Sequence, residues 1–281
     1  MNDARRGEAD QKALWNSNAG CPWVESQRTM DEMFAPIEAL LTDAVVAVSP
    51  RAVLDIGCGT GATTLAVARR LGAASRCVGV DISEPMVTAA RARAEREGTP
   101  AQFLLADAET HPFEPSSYDA IMSRFGVMFF DDSIRAFTNL RRAARNGAAL
   151  RLVAWRSAEE NPFMTVAERA AAPLMPDLPP RVPDAPGQFA FADAGRVRRI
   201  LDESGWAGVD IRPIDVDCTL PESELTRYAT RFGLVGRALE SADDETRTRV
   251  VDAVRSAFEP YVHGTEVRYV AACWMIGARV S

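Results

Sequence analysis

A glycine-rich run after a short apolar stretch carries the clearest chemical signal in this sequence. Val53-Leu54-Asp55-Ile56 leads directly into three glycines spaced two apart, Gly57, Gly59 and Gly61. Glycine lets the backbone turn sharply and approach a ligand with no Cβ in the way. A second short apolar stretch ends in Asp81, whose carboxylate suits the hydroxyls of a ribose. The sequence therefore predicts a site for a nucleoside-containing cofactor.

These residues lie where predicted strands end. Helical patterns alternate with five predicted strands, at residues 52–56, 77–81, 101–105, 118–122 and 148–155. The alternation predicts an α/β fold with a doubly wound, Rossmann-like, mostly parallel seven-stranded sheet and helices on both faces. Ligands of such sheets bind at the carboxyl ends of the strands. We therefore expect the glycine loop and Asp81 to meet Asp107, Ala108 and Ser123 at one edge of the sheet.

The regions outside this pattern are expected to cover the site. Residues 1–48 are predicted to be a tail, disordered over 1–12, followed by a helical lid. Residues 49–281 are predicted to form the cofactor-binding domain, with inserts 156–192 and 221–265 as a cap over a second substrate. The first insert is rich in proline, which interrupts regular structure. The second reads as two helices before a last strand at 267–278.

Composition excludes several function classes. The 281 residues carry a formal net charge of −7, which does not suit binding to nucleic acid or to an anionic membrane. No stretch approaches the ~18 apolar residues that span a bilayer, so we expect no membrane insertion. The five cysteines are scattered, which predicts no metal site and a reducing, cytoplasmic location. Lys12 is the only lysine, which argues against Schiff-base chemistry and a phosphate-binding P-loop.

The glycine loop fits two kinds of cofactor. Gly57 to Ala62 fits G-x-G-x-x-A, a dinucleotide fingerprint, and also G-x-G-x-G after an acidic strand residue. Asp55 would repel a pyrophosphate and would suit an ammonium group. Asp107 could accept a hydrogen bond from an exocyclic adenine amine. Both features favour the second pattern.

Four motifs in order resemble the class I S-adenosylmethionine-dependent methyltransferases. The resemblance covers roughly residues 50–155 and is closest to the small-molecule subgroup that includes the ubiquinone/menaquinone C-methyltransferases. One departure is Arg145-Asn146-Gly147-Ala148, where the family usually has Pro-Gly-Gly. The motifs are Leu54-Asp55-Ile56-Gly57-Cys58-Gly59-Thr60-Gly61, Val80-Asp81-Ile82-Ser83 with Met86, Asp107-Ala108-Glu109 with Pro112-Phe113, and Tyr118-Asp119-Ala120-Ile121.

The resemblance implies S-adenosylmethionine as cofactor and S-adenosylhomocysteine as its product. Under it, the three glycines would pass beneath the methionine part and Asp55 would meet the ammonium group. Asp81 would accept both ribose hydroxyls, and Ile82 would lie against the adenine face. The remaining implied contacts are Asp107 and the Ala108 N–H on the adenine edge, and Ser123 near the methionine.

The sequence gives less information about the site for the methyl acceptor than about the cofactor site. Methyl transfer from a sulfonium is an in-line displacement, which needs alignment and exclusion of water, and a general base only for a protonated acceptor. His263 is the candidate base. Candidate acceptor-binding residues are Arg124, for an acidic group, and the apolar or aromatic side chains of Met128, Phe129, Trp15, Trp23 and Tyr261.

The predicted function is methyl transfer to a small, partly apolar metabolite, at oxygen, nitrogen or carbon, by a monomer or homodimer. A nicotinamide-dependent oxidoreductase is the first alternative. The second is a protein that binds S-adenosylmethionine but performs other chemistry. Arsenite methylation would need clustered thiolates, and the scattered cysteines argue against it.

Overall fold

A single mixed sheet with helices on both faces organises the protein. The computed structural model describes residues 11–16, 20–182 and 184–281. The strand order is β3-β2-β1-β4-β5-β8-β6, with β7 paired to β8. The five strands β1 to β5 run parallel to one another, and β8 is antiparallel to both β5 and β6. The strands are β1 Ala52–Ile56, β2 Arg76–Asp81, β3 Ala101–Leu105, β4 Tyr118–Arg124, β5 Ala144–Trp155, β6 Ala207–Pro221, β7 Val262–His263 and β8 Glu266–Arg279.

The predicted Rossmann-like fold is confirmed, with the two-residue β7 added to the seven strands expected. All five residues of β1 are buried, as is typical of a central parallel strand covered on both faces. The α-helices after residue 20 are α1 Cys21–Glu25, α2 Gln27–Val46, α3 Ala62–Leu71, α4 Glu84–Glu97, α5 Ser133–Ala143, α6 Pro162–Ala171, α7 Ala194–Glu203, α8 Leu225–Arg231, α9 Gly233–Glu240 and α10 Asp244–Ala257.

The amino-terminal region is helical but not continuous. Residues 11–16 are helical, including the last two of the predicted disordered tail, and residues 1–10 and 17–19 lie outside the described residues. α2 packs across β4, β5 and β6. Its side chains Met33, Ile37, Leu41 and Val45 are fully buried, and their spacing of four places them on one helix face. This helix therefore covers one face of the sheet beside the glycine loop.

The predicted end of β4 and the predicted start of β5 were wrong. β4 continues to Arg124, so Ser123 and Arg124 belong to the strand and the chain turns at Phe125, whose φ is +67°. β5 begins at Ala144 because the chain pairs with Tyr118 across a register shift, and Gly147 at φ +79° accommodates the irregularity.

Both inserts contain more helix than the sequence predicted. The proline-rich insert contains α6, because a proline at the first helical position costs no hydrogen bond. The second insert contains three helices, α8 to α10, where two were expected. Buried Asn161 fixes the start of α6 to the sheet, since its side chain bonds both the N–H and the carbonyl of Ala272.

Candidate functional site

A large cavity opens at the carboxyl ends of β1 to β4. Its volume is about 940 Å³, at the upper end of the ~300–1,000 Å³ typical of small-molecule sites. One half is bounded by the strand ends and the loops that follow them, and we call it the cofactor half. The other is bounded by aromatic residues of α1, α6 and α8 and by Phe232 between α8 and α9, and we call it the acceptor half. A cavity of this size can hold two small molecules side by side.

The glycine loop is held by backbone contacts that a side chain would break. Gly57 has φ +64°, and a Cβ there would lie 2.6 Å from the Cα of Gly126. Gly61 has φ +86°, and a Cβ would meet the ring of Phe103 at 2.8 Å. The N–H groups of Gly57 and Cys58 both donate to the carbonyl of Val80, at 2.9 and 3.1 Å. The loop after β1 is therefore pinned to the end of β2.

Asp81 faces the cavity at the end of β2. Its Oδ2 accepts from the Gly59 N–H at 2.8 Å, and its Oδ1 accepts from the Ser83 N–H at 2.9 Å. Burial raises the pKa of Asp81 above the usual aspartate value, while these backbone donors act in the opposite direction. A carboxylate oriented by two amides is a preformed acceptor for ligand hydroxyls.

Asp55 and Ser123 lie behind the cavity wall. Asp55 is 1% exposed and accepts from the Thr64 hydroxyl at 2.6 Å. Burial raises the pKa of Asp55 to about 7. The Ser123 hydroxyl donates to the Ile56 carbonyl at 2.7 Å and accepts from the Gly126 N–H at 3.1 Å. Both side chains support the glycine loop from below, and neither belongs to the cavity lining.

Asp107 and Ala108 lie on the cavity wall after β3. Asp107 also organises its own turn, accepting from the Glu109 N–H at 2.9 Å and the Thr110 hydroxyl at 3.0 Å. The Asn139 side chain donates to the Ala108 carbonyl at 3.0 Å. This wall is therefore held from outside by α5.

Arg124 ends β4 against the same cavity. Its guanidinium carbon lies 5.7 Å from the centre of the Phe34 ring, and its Nη1 is buried without a hydrogen-bond acceptor. Burial lowers the pKa of Arg124, and nearby Glu38 and Asp31 act against that effect. The next residue, Phe125, stacks on Trp155 with ring centres 4.5 Å apart.

The amino-terminal segment crosses the cofactor half. Trp15 contacts Phe129 edge to face, with ring centres 5.1 Å apart. The Ser83 hydroxyl donates to the Trp15 carbonyl at 2.8 Å, and the Asn16 amide donates to the Ile82 carbonyl at 2.9 Å. Residues 11–16 are thereby tied to the end of β2, above Asp81.

The acceptor half is an aromatic enclosure. Phe163 stacks on Tyr269 with ring centres 3.9 Å apart and also contacts Tyr228 and Phe258. Trp23 of α1 meets Phe232 edge to face at 5.3 Å. Glu25, two residues later, pairs with Arg231 at 2.8 Å. α1 and the region around the end of α8 therefore touch each other across the cavity mouth.

Most of the predicted site residues face one space. The cavity lining includes Trp15, Trp23, Gly57, Gly59, Asp81, Ile82, Asp107, Ala108, Arg124, Met128 and Phe129. Gly61 shapes the loop behind it. Tyr261 lies one layer behind the wall, in contact with Phe163 at 5.1 Å. His263 is exposed on β7 and is absent from the lining, so the structure gives no support to its predicted role as a base.

Several residues that line the cavity were not predicted from the sequence. Asp31 and Phe34 come from α2. Apolar periodicity marks Phe34 only as part of one helix face, and no pattern in the sequence marks Asp31. Phe163 follows Asn161-Pro162, a helix-start signal inside the proline-rich insert that could have been recognised. The remaining cap residues that were missed are Met164, Phe189, Tyr228, Phe232 and Phe258.

Two general features of the described chain bear on its class. None of its described helices is long and apolar enough to span a membrane. Within the same ranges, no group of three or more histidine, cysteine or acidic side chains is placed to hold a metal ion.

Fold and site together define a Rossmann-like domain that binds a nucleoside cofactor through a glycine loop and acidic strand ends. Residues 53–147 match the family described as a methyltransferase domain. The chain thus carries a class I methyltransferase domain, and the class recognised from the motifs is confirmed. Its cofactor is S-adenosylmethionine, and the loop geometry, Asp81 and Asp107 fit that molecule.

Individual relatives point in the same direction. The chain is 35% identical over 106 residues to aklanonic acid methyltransferase DauC of Streptomyces sp. (strain C5), covering 37% of this chain and 48% of that protein. It is 27% identical over 205 residues to nocamycin O-methyltransferase of Saccharothrix syringae, covering 69% and 72%. The crystal structure of YcgJ from Bacillus subtilis superposes with a TM-score of 0.56 at 19% identity, covering 86% of this chain and 97% of that one.

The sequence matches are partial. The chain spans about half the length of two curated relatives to which it is 35% identical. The shared part contains the glycine loop and the carboxylates, and YcgJ, at 19% identity, shows the fold alone. The acceptor half therefore has to be interpreted from its own side chains.

Proposed function

We propose that the whole protein transfers a methyl group from S-adenosylmethionine to a bulky, mainly apolar small molecule. The observation that carries this proposal is the continuity of the two cavity halves. A cofactor bound over the glycine loop would present its methyl group toward the aromatic enclosure. The names of two relatives, an aklanonic acid methyltransferase and a nocamycin O-methyltransferase, support small organic acceptors.

In this proposal the protein aligns the two reactants and excludes water from them. The glycine loop would carry the methionine part, Asp81 the ribose, and Asp107 with Ala108 the adenine edge. S-adenosylmethionine brings an already activated methyl group, so the protein need not create the leaving group. Trp15, Trp23 and the cap aromatics would exclude water, which prevents hydrolysis and strengthens polar contacts inside.

The aromatic part of the acceptor half offers little base chemistry. Among the described residues that line the cavity, none is a histidine. The Tyr228 hydroxyl donates to the Met164 sulfur at 3.3 Å, and burial raises the pKa of Tyr228, so this phenol stays protonated near neutral pH. We therefore propose an acceptor atom that arrives with its electron pair available, such as a carboxylate or phenolate oxygen.

We propose a domain organisation that matches the two halves of the cavity. We propose that residues 1–48 include the lid, that residues 49–281 form the methyltransferase domain, and that inserts 156–192 and 221–265 form the acceptor cap. We further propose a cytoplasmic monomer or homodimer without a nucleic-acid partner. The five unpaired cysteines and the acidic balance support this proposal. Light scattering after size-exclusion chromatography measures the oligomeric state.

Two measurements test the function. Calorimetric titration with S-adenosylhomocysteine should give a saturable isotherm, and methyl-labelled S-adenosylmethionine should label compounds in a small-molecule extract. Asp81→Asn serves as the matched control, since it keeps the shape of the side chain and removes the charge. Binding without label transfer would favour a cofactor-binding protein with other chemistry. Absence of binding, with fluorescence enhancement of NADH or NADPH instead, would favour the oxidoreductase alternative.

A further inference from the structure

Arg124 is a partly buried cation with an unused donor. Its Nη1 is fully enclosed and has no acceptor, although Arg124 borders the cavity. Leaving a buried charged donor unpaired is costly, so such a group marks a place where a ligand completes the hydrogen bonding. The Phe34 ring face gives partial compensation only.

The carboxylates around Arg124 are not paired with it. Asp31 is paired with Arg93 at 2.6 Å, and Asp55 accepts from Thr64 at 2.6 Å. Within the described ranges no carboxylate lies within ion-pair distance of Arg124, although Glu38, Asp31 and Asp55 all influence it electrostatically. Its free donor therefore points to an anion from outside the chain.

The strand order indicates which anion. Along the cavity edge the order β3-β2-β1-β4 places Asp107, Asp81, the glycine loop and Arg124 in that sequence. Neighbouring strands are ~4.8 Å apart, so this row extends over about 14 Å. Adenine at Asp107 and ribose at Asp81 leave the amino-acid end of the cofactor over the glycines and next to Arg124. The aromatic acceptor half lies across the cavity from this row.

We infer that Arg124 binds the carboxylate of the cofactor's amino-acid end, and not an acidic group of the acceptor. The inference rests on the proposed function and revises the sequence-based assignment of Arg124 to the acceptor. The guanidinium of an arginine can bind a carboxylate through two parallel hydrogen bonds, whereas the ammonium of a lysine offers only a point charge. Arg124 thus selects the complete cofactor over nucleosides that lack the carboxylate.

The test compares two ligands that differ in one group. S-adenosylhomocysteine and its decarboxylated form share the adenosine, the thioether and the ammonium. Wild-type protein should bind the first at least roughly 30-fold more tightly in calorimetry. Arg124→Met should remove that preference by weakening S-adenosylhomocysteine alone. Arg124→Lys should restore part of it.

A second arginine provides the control. Arg181 also borders the cavity, on the acceptor side, where it pairs with Glu168. Arg181→Met should leave the ligand preference unchanged. A folded Arg124→Met protein that keeps the wild-type preference, or loses affinity equally for both ligands, would overturn the inference. If Arg124→Met does not fold, an unreduced preference in Arg124→Lys does the same. Wild-type protein that binds neither ligand would instead refute the proposed function.

Discussion

The two halves of the cavity are built by different means. In the cofactor half, backbone groups set the geometry, with glycines at positive φ and amides that orient Asp81. In the acceptor half, ring contacts among side chains of distant elements set the shape. Backbone geometry leaves a recognisable pattern of glycine and aspartate. An aromatic enclosure can be assembled from many sequences, so its ligand has to be found by experiment.

The largest expected effect is at the crossing of Gly57 and Gly126. In Gly57→Ala the new Cβ would be 2.6 Å from the Gly126 Cα, in addition to the left-handed strain of about 1–2 kcal/mol. We expect binding of S-adenosylhomocysteine to be lost and the free energy of unfolding to fall by about 3 kcal/mol or more. Urea denaturation and calorimetry measure both.

Gly98→Ala is the matched control for that variant. Gly98 has φ +60° and nothing within 4 Å of an added Cβ, so it isolates the strain. If both variants were destabilised equally, the close backbone crossing would not be what holds the loop.

The next largest effect on cofactor affinity is the loss expected when Asp81 is replaced. Asp81→Asn should weaken S-adenosylhomocysteine about 100-fold, because charged hydrogen bonds to the ribose are each worth about 1.5–3 kcal/mol. Asp107→Asn should weaken it less, since Asp107 also bonds its own turn. Calorimetric dissociation constants at one pH decide the ranking, and the reverse ranking would contradict the assignment of Asp81 to the ribose.

The third prediction concerns stability beneath the glycine loop. Burial raises the pKa of Asp55 to about 7, against about 3.9 in an unfolded chain. The folded state therefore holds this proton more tightly, and its stabilising contribution is lost as pH rises from about 4 to about 7. At pH 8, Asp55→Asn should be more stable than wild type by up to about 4 kcal/mol, with the difference becoming small near pH 4. Urea denaturation across that range would refute this if the two curves stayed parallel.

The smallest effect should separate the two halves most cleanly. Phe232→Ala removes a ring that contacts Trp23 and Tyr228 in the acceptor half. We expect label transfer to the acceptor to fall about tenfold, in line with the loss of one aromatic contact. S-adenosylhomocysteine affinity should change less than twofold, and Phe232→Leu should recover most of the transfer. An equal loss of cofactor affinity would show that the halves are not independent.

Local patterns explain what the sequence could predict. β1 and β3 were predicted residue for residue, since the glycines after β1 and the short apolar runs mark these strands. Asp81 and Asp107 were placed correctly on the cavity wall because parallel strands deliver their carboxyl ends to one edge. α6 was missed because proline was interpreted as a helix breaker where it begins a helix.

Contacts between distant residues explain what the sequence could not predict. The crossing of Gly57 and Gly126 joins residues from two loops, and nothing in either loop indicates its partner. Asp55 was predicted from its place before the glycines, but its hydrogen bond with Thr64 of α3 behind the loop was not. The stack of Phe163 on Tyr269 joins residues from α6 and β8, far apart in the chain. Such pairings depend on the assembled fold.

The segment over the cofactor half has a practical consequence for following turnover. Lys12 is the only lysine of the chain, it is exposed, and it belongs to the helical stretch 11–16 that Asn16 ties to Ile82. An amine-reactive fluorophore would therefore mark this stretch selectively among the side chains. Its emission should respond when S-adenosylhomocysteine is added, which would give a real-time optical reporter of ligand exchange without any engineered residue.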